Sequence, residues 1–248
     1  MQEKNYELMP RDILFFRDGR PMDADKALKE DVCIVGHGAS WPRPDHLYNG
    51  VMHSLLKEHG GGDFGVFPSL KTVGPYPVKN KELFLPRPLD WDMEIGELNG
   101  TDYPAPLKYG FIDRKEGKKK HPDWISARDY NRYLESQDLG DFPADYSGRN
   151  LYMTEVRIGT TMDPVTGASK RVEDRHASGQ YQVEYLRLAK DVSMWCAVDT
   201  GNTSPRHGKV EAPETPCSFV MGGQGGIVTR CETDIDQIPA ACVRCRIA

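Results

Sequence analysis

The clearest period-two signal lies late in the chain. Tyr181, Val183 and Tyr185 alternate with Gln182 and Glu184, the pattern of a strand with one buried face. Residues 151–161 are rich in β-branched and aromatic side chains and predict a neighbouring strand. Between the two lies MDPVTGASKRVEDRHASG. If the flanking strands pair, its ends are close, and it forms a protruding hairpin with a basic arm. Further strands are predicted over 192–198, 217–221 and 227–229. In the first half, 7–16 reads as one strand interrupted in polarity near Pro10, followed by a polar loop over 18–40. The period then changes. Leu47, Val51, Leu55 and Leu56 recur at helical spacing, Pro44 and Asp45 suit a helix start, and glycines at 60–62 suit its end. Strands are expected over 65–78 and 82–89, with Pro86 and Pro88 fitting a sheet edge or exit. Residues 91–123 are turn-rich and then basic. Residues 124–136 read as a short helix.

Strand, helix, two strands, helix and more strands predict an α+β fold with an antiparallel sheet. A ferredoxin-like (RRM-like) βαββαβ unit is the natural candidate. The expected division is 1–148, an N-terminal unit with insertions, and 149–248, a strand-rich unit carrying the hairpin and a Gly-rich loop.

Composition narrows the classes. No apolar run approaches the ~20 residues that span a bilayer, and MQEKNYELMPRD lacks an apolar signal core. A cytoplasmic protein with no membrane contact is expected. The cysteines, Cys33, Cys196, Cys217, Cys231, Cys242 and Cys245, are expected as free thiols. Cys242-Val-Arg-Cys245 is a weak zinc signal, because a closed site needs four ligands. No metal or cofactor is expected. The formal net charge of −5 argues against a free-standing nucleic-acid binder. Local patches remain possible contacts. Residues 108–132 are basic, although the run 118–121 reads as a solvated loop. Lys170, Arg171, Arg175 and His176 form a second cluster.

Three features invite chemistry. In FFRDGRP, Arg17 and Arg20 flank an Asp-Gly turn at a sheet rim, where they can face water, a carboxylate or a phosphate. In VMGGQGGIV, Gly222, Gly223, Gln224, Gly225 and Gly226 permit close backbone approach by a ligand, or simply form a hairpin turn. It is not a phosphate-binding P-loop, since no Lys-Ser or Lys-Thr follows. His46 and His53 share the predicted helix, seven residues apart, with no third ligand in view. No catalytic set is evident.

Four stretches together resemble one family: FFRDGRPM, SWPRPDHLYNGVMHSLL, LYMTEVRIGTTMDPVTG with SGQYQVEYLRL, and MGGQGG. From about residue 8 to 230 they resemble the CRISPR-associated RAMP proteins. Within these, the resemblance is to the type III-B (Cmr) effector-complex subunit that binds the 5′ tag of the CRISPR RNA. It implies one or two ferredoxin-like units, the second reduced, and a non-catalytic RNA-binding role in antiviral defence. It implies as partners the CRISPR RNA, the large polymerase-like subunit, the backbone RAMP subunits and, indirectly, target RNA. Residues 222–226 would approach the RNA backbone. The hairpin within 163–179 would order RNA near the tag. On physical grounds Arg17, Arg20, His53, Lys170, Arg171, Arg175 and His176 are suitable donors to such an RNA. Two alternatives stay open: a RAMP endoribonuclease using His207 or His46, and a protein-only adaptor.

Overall fold

The computed structural model describes residues 3–19, 34–58, 70–97, 109–113, 121–136, 139–160, 162, 165–168, 180–200 and 217–235. By contacts the chain divides into two units. One comprises Met1–Asn80 with Leu151–Asp236, the other Lys81–Asn150 with Gln237–Ala248. The chain passes between the units at 80/81, 150/151 and 236/237.

In the first unit, strands β1 (Glu3–Pro10), β3 (Lys71–Lys79), β10 (Val192–Asp199), β11 (Cys217–Val220) and β12 (Ile227–Glu232) lie in the order β11-β12-β1-β10-β3. Every neighbouring pair is antiparallel. The fold is therefore α+β with a mainly antiparallel sheet. β10 sits inside the sheet and is buried on both faces, so it reads as a nearly continuous apolar run. Met194, Cys196 and Val198 join the main core, while Trp195 is capped by its indole N–H donating to Ile235 O at 2.7 Å. β1 alternates: Tyr6 and Leu8 are fully buried. Helix α1 (Pro44–Glu58) packs on this sheet through Leu47, Val51 and Leu55, all fully buried. Its apolar face is the one its spacing predicts.

A second sheet of the same unit has the order β2-β9-β8, from β2 (Ile34–Gly36), β8 (Tyr152–Thr160) and β9 (Gln180–Leu188). β8 and β9 are antiparallel, in register from Tyr152↔Leu188 to Thr160↔Gln180. The two ends of the expected hairpin segment are thus adjacent, although most of 163–179 lies outside the described residues. β2 pairs parallel with β9 inside the stretch read as a loop, a correction that three residues without periodicity could not signal.

The strand expected over 7–16 is two things. β1 ends at Pro10. The chain then re-pairs at Leu14–Arg17 with partners far away in sequence: Leu14 with Leu186, Phe15 with Gly223 and Arg17 with Gly38.

In the second unit, β4 (Glu82–Pro86) pairs with β7 (Trp124–Ser126), and α2 (Ala127–Ser136) follows. The helix expected over 124–136 therefore begins three residues late. Ser126 starts it: its hydroxyl accepts from Asp129 N at 3.1 Å, as an N-cap does. Trp124, Ile125 and Ser126 are all buried, and so short a run carries no period. β5 (Met93–Glu97) and β6 (Tyr109–Asp113) pair antiparallel in the stretch read as turn-rich and then basic. Among the described residues, no helix is long and apolar enough to cross a membrane.

Candidate nucleic-acid interface

The segment Leu14–Arg17 stitches the first unit together. Leu14 and Leu186 exchange both backbone hydrogen bonds, at 2.9 and 2.7 Å. Gly223 N donates to Phe15 O at 2.8 Å, and Ala39 N to Phe16 O at 2.5 Å. Leu14 and Phe16 point into the core at 1% exposure, so the alternation sends Phe15 and Arg17 outward. The Asp-Gly turn follows, with Gly19 at φ +86°.

The Gly-rich stretch joins β11 to β12. Val220 pairs with Ile227, and Met221 N donates to Gly226 O at 2.9 Å, closing the loop. Gly222, Gln224 and Gly225 have positive φ, and residues 223–225 are exposed. The Phe15–Gly223 bond fixes this loop against the Arg17 segment. The loop is thus a hairpin turn held in one place.

Between α1, β11 and this loop runs a groove of about 1000 Å³. Arg17, His53, Gly222 and Gly223 line it together with Arg11, His46, Asn49 and Lys57. Of the residues predicted from sequence, these four are brought to one wall-and-floor surface. Gln224, Gly225 and Gly226 line a smaller, neighbouring hollow that shares Gly223 with the groove. Arg20, Lys170, Arg171, Arg175 and His176 lie outside the described residues, as do His207, Cys242 and Cys245.

Sequence reasoning missed Arg11, Asn49 and Lys57. The last two carried a signal. His46, Asn49, His53 and Lys57 recur every three to four residues, so they form one polar stripe along α1. At 1.5 Å per residue the stripe is about 16 Å long. The seven-residue spacing that counted against a metal site is two helical turns.

The groove's electrostatics depend on a buried pair. Glu58 is the only carboxylate among the described lining residues. Fully buried Arg230, reaching from β12, donates to it at 3.0 Å. Ser54 Oγ donates to the same oxygen at 2.7 Å. The Arg230 guanidinium also lies 5.4 Å from the Tyr6 ring centroid and 5.7 Å from that of Phe219. The local negative charge is thus matched from below, and Arg11, Arg17 and Lys57 leave the groove cationic. His46 Nδ1 accepts from Arg43 N at 3.2 Å, and its ring packs 5.0 Å from Phe16. Burial holds its pKa below the usual histidine value, reinforced by the nearby Arg43 charge. Burial pushes the Cys196 thiol up to about 12, so it packs as an apolar residue rather than a nucleophile. No group of three or more His, Cys, Asp or Glu among the described residues could hold a metal.

The CRISPR-associated protein family Cas_Cmr3 matches residues 6–230. The chain belongs to this family. Two solved chains share the fold of this Cas_Cmr3 protein. One, from a cryo-EM structure of the type III-B Cmr-beta bound to cognate target RNA and AMPPnP, has a TM-score of 0.50 at 14% identity. The match covers 93% of this chain and 63% of that one. The other, from Cmr-beta bound to cognate target RNA, has a TM-score of 0.50 at 17% identity, over 93% and 64%. The Cas_Cmr3 chain thus spans less than two thirds of the length of these relatives. No curated protein matches its sequence.

Proposed function

We propose that this chain is a non-catalytic RNA-binding subunit of a type III-B effector complex. It holds the 5′ tag of the CRISPR RNA in the groove between α1, β11 and residues 222–226. It docks on the large polymerase-like subunit next to the backbone RAMP subunits, and meets target RNA only indirectly. Membership of the Cas_Cmr3 family supports the assembly.

The observation that carries the RNA reading is the groove itself. It combines three cations, a stripe of polar helix side chains and a bare-backbone loop in one channel. Single-stranded RNA is held by such backbone contacts together with base stacking. The order β12-β1-β10-β3, with α1 crossing from β1 to β3, supports a ferredoxin-like unit. The sheet β2-β9-β8 is read as the remnant of a second.

The test is a salt series with tag RNA. Arg17→Ala with Lys57→Ala should weaken binding and flatten the plot of log K against log salt by about 1.4, or ~0.7 per lost phosphate contact. Unchanged affinity and slope would refute the reading. The endoribonuclease alternative draws support from His46 and His53 lining the same groove. Metal-independent, site-specific cutting of repeat RNA that is lost in His46→Ala would establish it. An absence of cuts would reject it.

A further inference from the structure

The Gly-rich loop also lines a second, smaller hollow of about 270 Å³ beside the groove. That is below the ~300–1,000 Å³ of ordinary small-molecule clefts, and it suits one heterocycle rather than a length of chain. Arg11, Phe15, Gly223 and Ile227 line both this hollow and the groove, so the two are contiguous.

The walls of the hollow are of two kinds. The Phe15 and Tyr185 rings meet edge to face with centroids 5.8 Å apart. The Arg157 guanidinium lies 5.9 Å from the Tyr185 centroid. These are flat, sequence-tolerant platforms for a base pulled out of its strand. The polar wall can discriminate. Asp12 presents the hollow's one carboxylate among its described lining residues. Arg187 Nη2 donates to Asp12 Oδ1 at 3.3 Å, and Arg157 Nη2 lies 3.8 Å from Oδ2. Arg157 is anchored in turn by donating through Nε to Glu155 at 2.8 Å. The carboxylate is thus oriented, yet its side chain is still 59% exposed and has lone pairs to offer. Gln224 sits on the loop tip at φ +58°, exposed, beside Gly223 and Gly225.

We propose that this hollow is a reading site for a single flipped-out guanine of the bound RNA. A carboxylate accepts two parallel hydrogen bonds only from adjacent donors, and guanine alone of the four bases has them, at N1 and N2. Its O6 and N7 are acceptors that suit a guanidinium, here that of Arg157 or Arg11. The flipped base would stack on Phe15 while its phosphates run on into the groove. The inference rests on the RNA-binding reading and adds sequence preference to it.

The test uses the full chain and random single-stranded RNA of about ten nucleotides, within the footprint of a single-strand-binding fold. Sequencing of the bound fraction should show guanine enriched at one position, by about 5- to 150-fold as expected for one bidentate contact. Replacing that guanine by inosine, which lacks the N2 amine, should weaken wild-type binding. It should leave Asp12→Asn unaffected, a coupling that a merely structural aspartate would not produce. Phe15→Leu, which keeps the backbone bond to Gly223, should weaken all sequences alike. If RNA binds with the predicted salt dependence but without base preference, or with a preference Asp12→Asn leaves intact, the guanine site is wrong and the groove stands. Enrichment of another base likewise overturns the guanine assignment. If no RNA binds at all, both fall.

Discussion

Gly222 and Gly225 occupy the same loop and both have left-handed φ, +82° and +70°. Their surroundings differ. A Cβ on Gly222 would lie 2.5 Å from Phe15 O and 2.7 and 2.9 Å from two carbons of the Phe16 ring. A Cβ on Gly225 would meet nothing within 4 Å. Alanine at either position incurs about 1–2 kcal/mol of backbone strain. At 222 it also forces atoms into a closed space, at about 1–3 kcal/mol more. Gly222→Ala should therefore cost about 2–5 kcal/mol. Gly225→Ala should cost about 1–2 kcal/mol. Thermal denaturation followed by circular dichroism separates them, since a chain of this size loses about 2–4 °C per kcal/mol. The Gly222 variant should melt about 2–12 °C below the Gly225 variant. Its added methyl also displaces the oxygen that accepts from Gly223 N, so RNA affinity should fall with stability. Equal melting temperatures, or a lower one for Gly225→Ala, would refute the packing of this loop on the Phe15–Phe16 segment.

The Arg230–Glu58 pair predicts an ordering. Glu58→Ala removes the carboxylate from a fully buried guanidinium and should cost about 3 kcal/mol, the low end for a broken buried pair because Glu58 keeps some exposure. Arg230→Met removes the buried charge itself, and chemical denaturation should show it as the milder change. The reverse order would contradict the pairing. His46 has a depressed folded-state pKa, so the unfolded chain binds its proton more readily. Stability should fall as pH drops below the unfolded histidine value of about 6.5. His46→Gln should lessen that slope, and an unchanged slope would exclude His46 as a source. Arg11→Ala, like Arg17→Ala, should reduce the salt dependence of RNA binding by about 0.7. A full wild-type slope would remove Arg11 from the interface.

Much of the first unit was legible because its elements are long and periodic. Leu47, Val51 and Leu55 mark the buried face of α1, and the alternation in 181–185 marks β9. β7 was not legible: three buried residues before a helix look like its first turn. β2 depends on β9 for its identity, since three residues have no pattern of their own. The chief misreading, one strand through Phe16, has the same origin. Leu14, Phe15 and Arg17 each take a partner from elsewhere in the chain, and only tertiary structure supplies Leu186, Gly223 and Gly38. The site was half visible. Arg17 and the glycines stood out as local motifs. Asn49 and Lys57 lay in a stripe that helical spacing already implied. Arg230, by contrast, looks like an ordinary strand-end cation, and nothing local announces that it is buried under Glu58.

The central claim is that RNA lies along the groove between α1, β11 and the Gly-rich loop. Ultraviolet crosslinking of the co-purified complex, with mass spectrometry of the RNA-bound peptides, tests this most directly. The account predicts adducts on peptides containing Phe15, His53 and 222–226. Adducts confined to other surfaces of the chain, or none on it while neighbouring subunits crosslink, would contradict it.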